Sequence, residues 1–120
     1  GEHDFASFCG VLPVSGPTTR TIHDITIETY GAWLRIRISG DGFLHRMVRV
    51  IVGTLTEMGE GRRDPESMSE ILAACDRRSA GFTAPACGLF LAGVRYADFD
   101  SFSETLARRP VPYDPLDNRA

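Results

Sequence analysis

Arg49 is the residue of this chain whose type and surroundings most clearly suggest a chemical role. It lies between Met47 and Ile51 in an apolar stretch, and Gly53 follows it four residues later. A glycine inside a helix costs about 1 kcal/mol relative to alanine, so Gly53 needs a reason. Because helical side chains lean toward the N-terminus, a large side chain at position 53 would lie over Arg49. The pattern predicts a cation held in a mostly apolar wall with one side left open.

One amphipathic helix over residues 41–59 is predicted to carry Arg49. Its apolar residues recur at steps of three and four, so they share one face. They are Phe43, Met47, Val50, Ile51, Leu55 and Met58. Asp41 can cap the first turn, because its carboxylate can accept from free backbone N–H groups. Gly59 and Gly61 can end the helix, because glycine adopts the left-handed conformation without a Cβ penalty.

The composition is that of a globular protein with room for one modest core. The chain has 120 residues, of which 42% are hydrophobic and 24% are charged, and its formal net charge is −3. No apolar run approaches the roughly 18 residues that a membrane helix needs. No signal peptide is visible at the N-terminus. All the basic residues are arginine, but the acidic net charge means that any RNA binding must come from a local patch.

The cysteines predict a reducing environment. Cys9, Cys75 and Cys87 are odd in number and form no CxxC pair. Neither a zinc site nor a disulfide framework is therefore predicted. We expect buried free thiols and a cytoplasmic protein.

Two strands of a hairpin are predicted at residues 18–30 and 33–39. In the second strand, apolar residues alternate with residues that share the opposite face. The residues on that opposite face are Trp33, Arg35 and Arg37. This face can bind RNA by stacking and phosphate contacts. It can also be a solvated face whose arginines pair with Glu28 or Asp24, and we favour this second interpretation.

A second helix is predicted to begin with Asp64 as its cap and Pro65 in its first turn. Its predicted buried stripe is Met68, Ile71, Leu72 and Cys75. Residues 89–96 are apolar on both faces, which predicts a central strand, and residues 97–120 are predicted to form a loose tail. The order of elements predicts an α+β fold, with a largely antiparallel sheet and helices packed on one face.

No catalytic set is evident from residue types alone, since the chain has no Ser-His-Asp spacing, phosphate loop or metal cluster. Four stretches nevertheless occur in an order that resembles the C-terminal half of the tRNA pseudouridine synthase A (TruA) family. They are Gly1-x-His3-Asp4-Phe5-x-x-Phe8, Thr19-Arg20-Thr21-Ile22, Gly42-Phe43-Leu44-x-x-Met47-Val48-Arg49-x-Ile51-Val52-Gly53-Thr54-Leu55, and Asp76-Arg77-x-x-Ala80-Gly81-x-Thr83-Ala84-Pro85-Ala86-x-Gly88-Leu89-x-Leu91. The resemblance extends over residues 1–96, which we interpret as a C-terminal domain.

The resemblance implies half of a pseudouridine synthase fold and a specific reaction. The family breaks the N1–C1′ bond of uridine, rotates the base and rejoins it through C5, in the anticodon stem-loop of tRNA at positions 38, 39 and 40. It uses one aspartate, in an Arg-Thr-Asp motif of the N-terminal half, and no cofactor. No Arg-Thr-Asp occurs here. We therefore expect the chain alone to be inactive, and its partners to be tRNA, an N-terminal domain of the same polypeptide and a second copy in a homodimer, with no membrane.

Two residues match family positions with roles in the active site. Arg49 corresponds to the basic residue that pairs with the catalytic aspartate, where a guanidinium would orient the carboxylate and keep it ionised. Its structural alternative is a helix-surface arginine paired with Glu57 or another acid. Leu89 corresponds to the apolar residue that packs against the target base, and its alternative is a plain core position.

Candidate phosphate contacts lie in loops or near predicted helix starts. They are Arg46, Arg62, Arg77 and Arg78. Arginine at such positions would give RNA binding that weakens strongly with added salt. The alternative function for the chain is a non-catalytic RNA-binding or dimerisation module with the same fold.

Overall fold

Two long antiparallel strands form the centre of the fold in the computed structural model, which describes residues 1–101. Strand β2 is Thr19–Tyr30 and strand β3 is Trp33–Gly40, and a turn with Gly31 at φ +56° joins them. The short strand β1, Glu2–Asp4, pairs with the other side of β2, so the sheet order is β1-β2-β3. The predicted hairpin is therefore confirmed.

The polar face of the hairpin carries an ion pair between the strands. Glu28 lies opposite Arg35, and the Arg35 guanidinium contacts the Glu28 carboxylate at 2.6 Å. The same guanidinium lies 4.5 Å from the centroid of the Tyr30 ring. Hydrogen bonds from Arg35 and Tyr30 hold the pKa of Glu28 below its usual range. The pairing that we favoured for this face is confirmed for Arg35.

Helix α1 is Met47–Gly59, so the predicted helix start at residue 41 is wrong. Asp41 follows β3 and bonds β2 instead, because its Oδ1 accepts from the backbone N–H of Thr21 at 3.0 Å. Arg46, the residue before α1, has a left-handed backbone with φ 58°. Such a conformation disfavours helix propagation for a residue other than glycine. The helix end was predicted correctly, since Gly61 has φ +75° beyond it.

The buried face of α1 packs against the sheet and the neighbouring short helices. Its buried apolar residues are Met47, Val50, Ile51 and Met58. Burying each such side chain contributes about 1.5–3 kcal/mol. They join a core that includes Phe5, Phe8, Ile22, Leu44 and Ile71. Phe43, which was predicted to share this face, precedes α1 and is exposed.

The second helix begins as predicted and ends earlier. Asp64 Oδ1 accepts from the Glu66 N–H at 2.9 Å, and a 3₁₀ turn at Pro65–Ser67 leads into α2, Met68–Ala74. Cys75 follows α2 with φ 47° and is exposed, so its predicted place in the buried stripe is wrong. The left-handed backbone that ends the helix turns this residue out of the core.

The free thiols are only partly buried. Cys9 is buried, whereas Cys75 and Cys87 are exposed, which corrects the expectation that all three lie inside. Within residues 1–101, no group of three His, Cys, Asp or Glu side chains is placed to hold a metal ion. No helix in that range is long and apolar enough to cross a membrane.

The predicted central strand over residues 89–96 is also wrong. Only Arg95–Tyr96 forms a strand, β4, and it pairs with β5, Phe99–Asp100. Leu89 and its neighbours are exposed, because this apolar run has no strand beside it among residues 1–101. Strand β5 lies in the predicted tail, residues 97–120. Residues 102–120 of that tail lie outside the described residues. Antiparallel sheets and two helices confirm the α+β class.

The hydroxyl of Ser7, in the 3₁₀ turn Ala6–Phe8, bonds both α2 and the chain that follows it. It is buried, donates to the Ile71 carbonyl at 2.6 Å and accepts from the Asp76 N–H at 2.9 Å. Replacing Ser7 by alanine leaves a buried donor and a buried acceptor unpaired, so Ser7→Ala is expected to lower the free energy of unfolding by about 1–3 kcal/mol in urea denaturation. The exposed Ser67 makes a local turn contact, and Ser67→Ala is the control. Equal stability of the two variants would contradict this role.

Candidate active site

Arg49 is fixed by a reciprocal pair of hydrogen bonds with Ala84. The half-buried guanidinium donates from Nε to the Ala84 carbonyl at 2.7 Å. The Ala84 N–H donates to the Arg49 carbonyl at 3.0 Å. A hydrogen bond from a charged donor is worth about 1.5–3 kcal/mol. The stem of the Arg49 side chain is therefore held in place from the backbone of a second chain segment.

The outer nitrogens of Arg49 form no ion pair within residues 1–101. Glu57, the acid named as an alternative partner, bonds Arg63 instead, at 3.0 Å. The Nη1 and Nη2 groups form the two-pronged edge of the guanidinium, which suits a carboxylate or phosphate. The arrangement can orient an anion that this part of the chain does not supply.

Gly53 lies where the backbone of Phe82 crosses α1. A Cβ at position 53 would lie 1.7 Å from the Phe82 carbonyl oxygen and 2.8 Å from its carbonyl carbon. Such distances cannot occur, so only glycine allows this approach. The predicted open side beside Arg49 is therefore wrong, because the Phe82 backbone fills the space over Gly53. This crossing is the reason for the mid-helix glycine.

Thr54 binds the same segment one residue farther along α1. Its hydroxyl is fully buried, donates to the Val50 carbonyl at 2.8 Å and accepts from the Gly81 N–H at 2.9 Å. A Cβ on Gly81 would lie 2.8 Å from the Thr54 Cα. Gly53 of α1 lies against the Phe82 backbone, and Gly81 lies against the Thr54 backbone of α1. Residues 80–84 therefore pack on α1 with the two backbones in direct contact. We call residues 80–84 the docked segment.

Glu57 holds the docked segment from the next turn of α1. Its Oε1 accepts from the Phe82 N–H at 3.2 Å, and its Oε2 accepts from Arg63 Nε at 3.0 Å. Burial alone would raise the pKa of Glu57, but the hydrogen bonds from Arg63 and Phe82 outweigh it and hold that pKa below its usual value. The carboxylate is therefore ionised at neutral pH.

Leu89 lies five residues beyond Ala84, after a 3₁₀ turn at Ala86–Gly88. Five residues span at most about 18 Å, which limits the distance between Leu89 and the Ala84 backbone. Leu89 is 48% exposed, so it is not part of the core of residues 1–101. Contact of this apolar side chain with a base stays a prediction.

The predicted phosphate contacts differ in how free their guanidinium groups are. Arg62 pairs with Glu60 at 2.5 Å, and Arg78 pairs with Asp76 at 2.7 Å, both at the surface. Phosphates would have to compete with these acids. Arg77 donates to the hydroxyl of Thr83, in the docked segment, at 3.2 Å.

Arg46 is the exposed residue that precedes α1, and its Cδ would lie 3.2 Å from a Cβ on Gly10. The structure gives no contact that joins the four arginines into one patch within residues 1–101. A shared RNA surface stays a prediction.

Comparison with known proteins identifies the family to which this arrangement belongs. A sequence model of the family described as tRNA pseudouridine synthase matches residues 1–97. That range contains α1, the docked segment and every candidate site residue. The chain belongs to this pseudouridine synthase family.

Individual synthases resemble the chain at a similar level. The tRNA pseudouridine synthase A of Brevibacillus brevis is 49% identical over 96 residues, which are 80% of this chain and 39% of the relative. The enzyme of the same name from Geobacillus kaustophilus is 48% identical over 98 residues, or 82% of this chain and 38% of the relative. That from Pelobacter propionicus is 46% identical over 96 residues. The chain spans about two fifths of the length of these synthases.

Sequence reasoning missed the residues that hold the docked segment. They are Thr54, Glu57, Arg63 and Gly81. Gly53 was the available signal, because a mid-helix glycine indicates close backbone approach. What approaches it could not be read from the pattern, since Phe82 lies 29 residues away in the chain.

The crossing at Gly53 predicts an unusual response to alanine. Gly53→Ala improves helix propensity by about 1 kcal/mol, but the new methyl group displaces the Phe82 backbone. Overpacking of this kind costs about 1–3 kcal/mol or more, so a net loss of stability is expected in urea denaturation. A Cβ added to Gly59, on the same helix, would meet no atom within 4 Å. Gly59→Ala is therefore expected to leave stability unchanged or to raise it. A Gly53→Ala variant at least as stable as the wild type contradicts the crossing.

Proposed function

We propose that this chain is the C-terminal half of a tRNA pseudouridine synthase, and that Arg49 holds the catalytic aspartate supplied by an N-terminal domain of the same polypeptide. The C-terminal domain comprises residues 1–96. The full-length enzyme is a cytoplasmic homodimer that needs no cofactor. It isomerises uridine at positions 38, 39 and 40 in the anticodon stem-loop of tRNA.

The observation that carries the proposal is the state of Arg49. Its Nε is fixed on Ala84, and its outer nitrogens form no ion pair within residues 1–101. No fully buried side-chain nitrogen among residues 1–101 lacks a hydrogen-bond partner, so the outer nitrogens of Arg49 are accessible and can receive an anion from outside this part of the chain. A carboxylate from outside this part of the chain fits that position. The relatives are named tRNA pseudouridine synthase A, which supports the isomerisation of uridine, and the family resemblance implies that the carboxylate is an aspartate.

The role of Arg49 in the reaction follows from its charge and shape. A two-pronged contact orients the carboxylate, and the opposite charge lowers its pKa so that it stays ionised. The reaction conserves every atom: the N1–C1′ bond breaks, a C5–C1′ bond forms, C5 loses a proton and N1 gains one. The exposed Leu89 provides a flat apolar contact for a base taken out of its stack.

Variants of Arg49 in the full-length enzyme test the proposal. Arg49→Ala removes both the orientation and the charge that favours ionisation, so the single-turnover rate of pseudouridine formation is expected to fall by about 100-fold or more. Arg49→Lys is expected to restore part of the rate, because an ammonium supplies charge without the fork. The affinity for tRNA is expected to change little, since phosphate contacts dominate it.

Two controls separate this role from a general loss of structure. Arg35→Ala removes an arginine that pairs with Glu28 on the hairpin, and it is expected to keep the wild-type rate. The chain of residues 1–120 alone, incubated with unmodified tRNA, is expected to form no pseudouridine. Near-normal turnover by Arg49→Ala contradicts the proposal and favours a non-catalytic RNA-binding or dimerisation module.

A further inference from the structure

The ion pair between Glu57 and Arg63 binds the docked segment at Phe82 and also the adjoining Ser79. Glu57 Oε1 accepts from the Phe82 N–H at 3.2 Å. Arg63 Nη1 donates to the Ser79 carbonyl at 2.8 Å, while its Nε and Nη2 bond Glu57 at 3.0 Å. One carboxylate and one guanidinium therefore bond each other and also the backbone at both ends of residues 79–82.

This pair is the most shielded ion pair among residues 1–101. The exposed fractions of its side chains are 16% for Glu57 and 26% for Arg63, against 54% for Glu60 and 58% for Arg62. Surface pairs such as Glu60–Arg62 contribute little to stability, because water screens them and the long side chains must be ordered. The Glu57–Arg63 pair is shielded from water, and its remaining donors and acceptors bond the backbone. It therefore holds its position more firmly than a surface pair does.

The link leads directly to Arg49. Phe82 is two residues from Ala84, whose carbonyl binds Arg49 Nε at 2.7 Å. Between these points, the Phe82 carbonyl lies against Gly53, so the backbone has no room to move toward α1. The Phe82 N–H bond to Glu57 restrains it from moving away. The position of the Ala84 carbonyl, and with it the direction of the Arg49 fork, thus depends on Glu57.

We propose that Glu57 and Arg63 are positioning residues for catalysis: they hold the docked segment on α1 so that Ala84 aims the Arg49 guanidinium at its anionic partner. The inference rests on the proposed function of Arg49 and deepens it. Neither residue touches the substrate or the reacting atoms. Their loss moves the fork, and a displacement of about 1 Å at a reacting centre can cost about 100-fold in rate.

The test compares single-turnover rates at saturating tRNA in the full-length enzyme. Glu57→Ala removes the Phe82 hydrogen bond and the carboxylate that holds Arg63. We expect the rate to fall about tenfold or more while the tRNA dissociation constant stays within about twofold. Glu57→Gln keeps an oxygen acceptor for the Phe82 N–H, so a smaller loss is expected. Arg63→Ala is expected to resemble Glu57→Ala. Glu60→Gln, three residues after Glu57 in a surface pair, is the matched control and is expected to keep the wild-type rate.

A double-mutant cycle with Arg49 separates positioning from general destabilisation. If Glu57 acts through Arg49, adding Glu57→Ala to Arg49→Ala lowers the rate no further, because the group being positioned is already absent. A general structural defect would lower the rate again. Rates are measured well below the midpoint of each variant's thermal transition, and Glu57→Gln, which preserves the shape of the side chain, carries the comparison if Glu57→Ala does not fold.

Each outcome bears on a different claim. A wild-type rate in Glu57→Ala or Glu57→Gln, beside an impaired Arg49→Ala, overturns the positioning role and leaves the proposed function standing. Multiplying effects of Glu57→Ala and Arg49→Ala also overturn it. A wild-type rate in Arg49→Ala removes the proposed function and the positioning role together. If the Glu57 variants lower the rate in the wild-type background but not in the Arg49→Ala background, both the proposed function and the positioning role are supported.

Discussion

The close approach of the Phe82 backbone to Gly53 is the constraint on which the rest of the site depends. A Cβ at position 53 would lie 1.7 Å from the Phe82 carbonyl oxygen, so the crossing exists only because glycine lacks a side chain. Once the two backbones touch, Thr54 and Glu57 on α1 reach the N–H groups of Gly81 and Phe82. The apolar face of α1 secures the helix to the core, and the docked segment is held on α1 by hydrogen bonds.

Arg49 differs from the arginines of the described chain that form ion pairs. Arg35, Arg63 and Arg78 each pair with a nearby carboxylate. Arg49 is half-buried and bonded through Nε to a backbone carbonyl, with no ion pair within residues 1–101. The outer nitrogens of Arg49 can therefore receive a carboxylate from outside this part of the chain.

Local signals made the hairpin of β2 and β3, the end of α1 and the start of α2 predictable, and distant contacts made the rest unpredictable. Alternation in β3 and the Asp64 cap act within a few residues, so the sequence pattern was sufficient for them. The start of α1 was misplaced because Asp41 bonds Thr21 in a strand 20 residues earlier. The apolar run after Leu89 imitated a buried strand, since periodicity cannot tell an exposed contact surface from a core. Arg49 was found from its apolar context, but its Ala84 partner lies 35 residues away.

The central claim is that Arg49 is built to receive a carboxylate from outside residues 1–101. An experimental structure of the full-length protein tests it most directly, through the distance from the Arg49 Nη atoms to the nearest carboxylate oxygen. The account predicts an aspartate of the N-terminal domain within about 3 Å, in two-pronged contact, with Arg49 Nε still bonded to the Ala84 carbonyl. An Arg49 guanidinium that faces solvent, or that pairs with an acid of this chain, would contradict it.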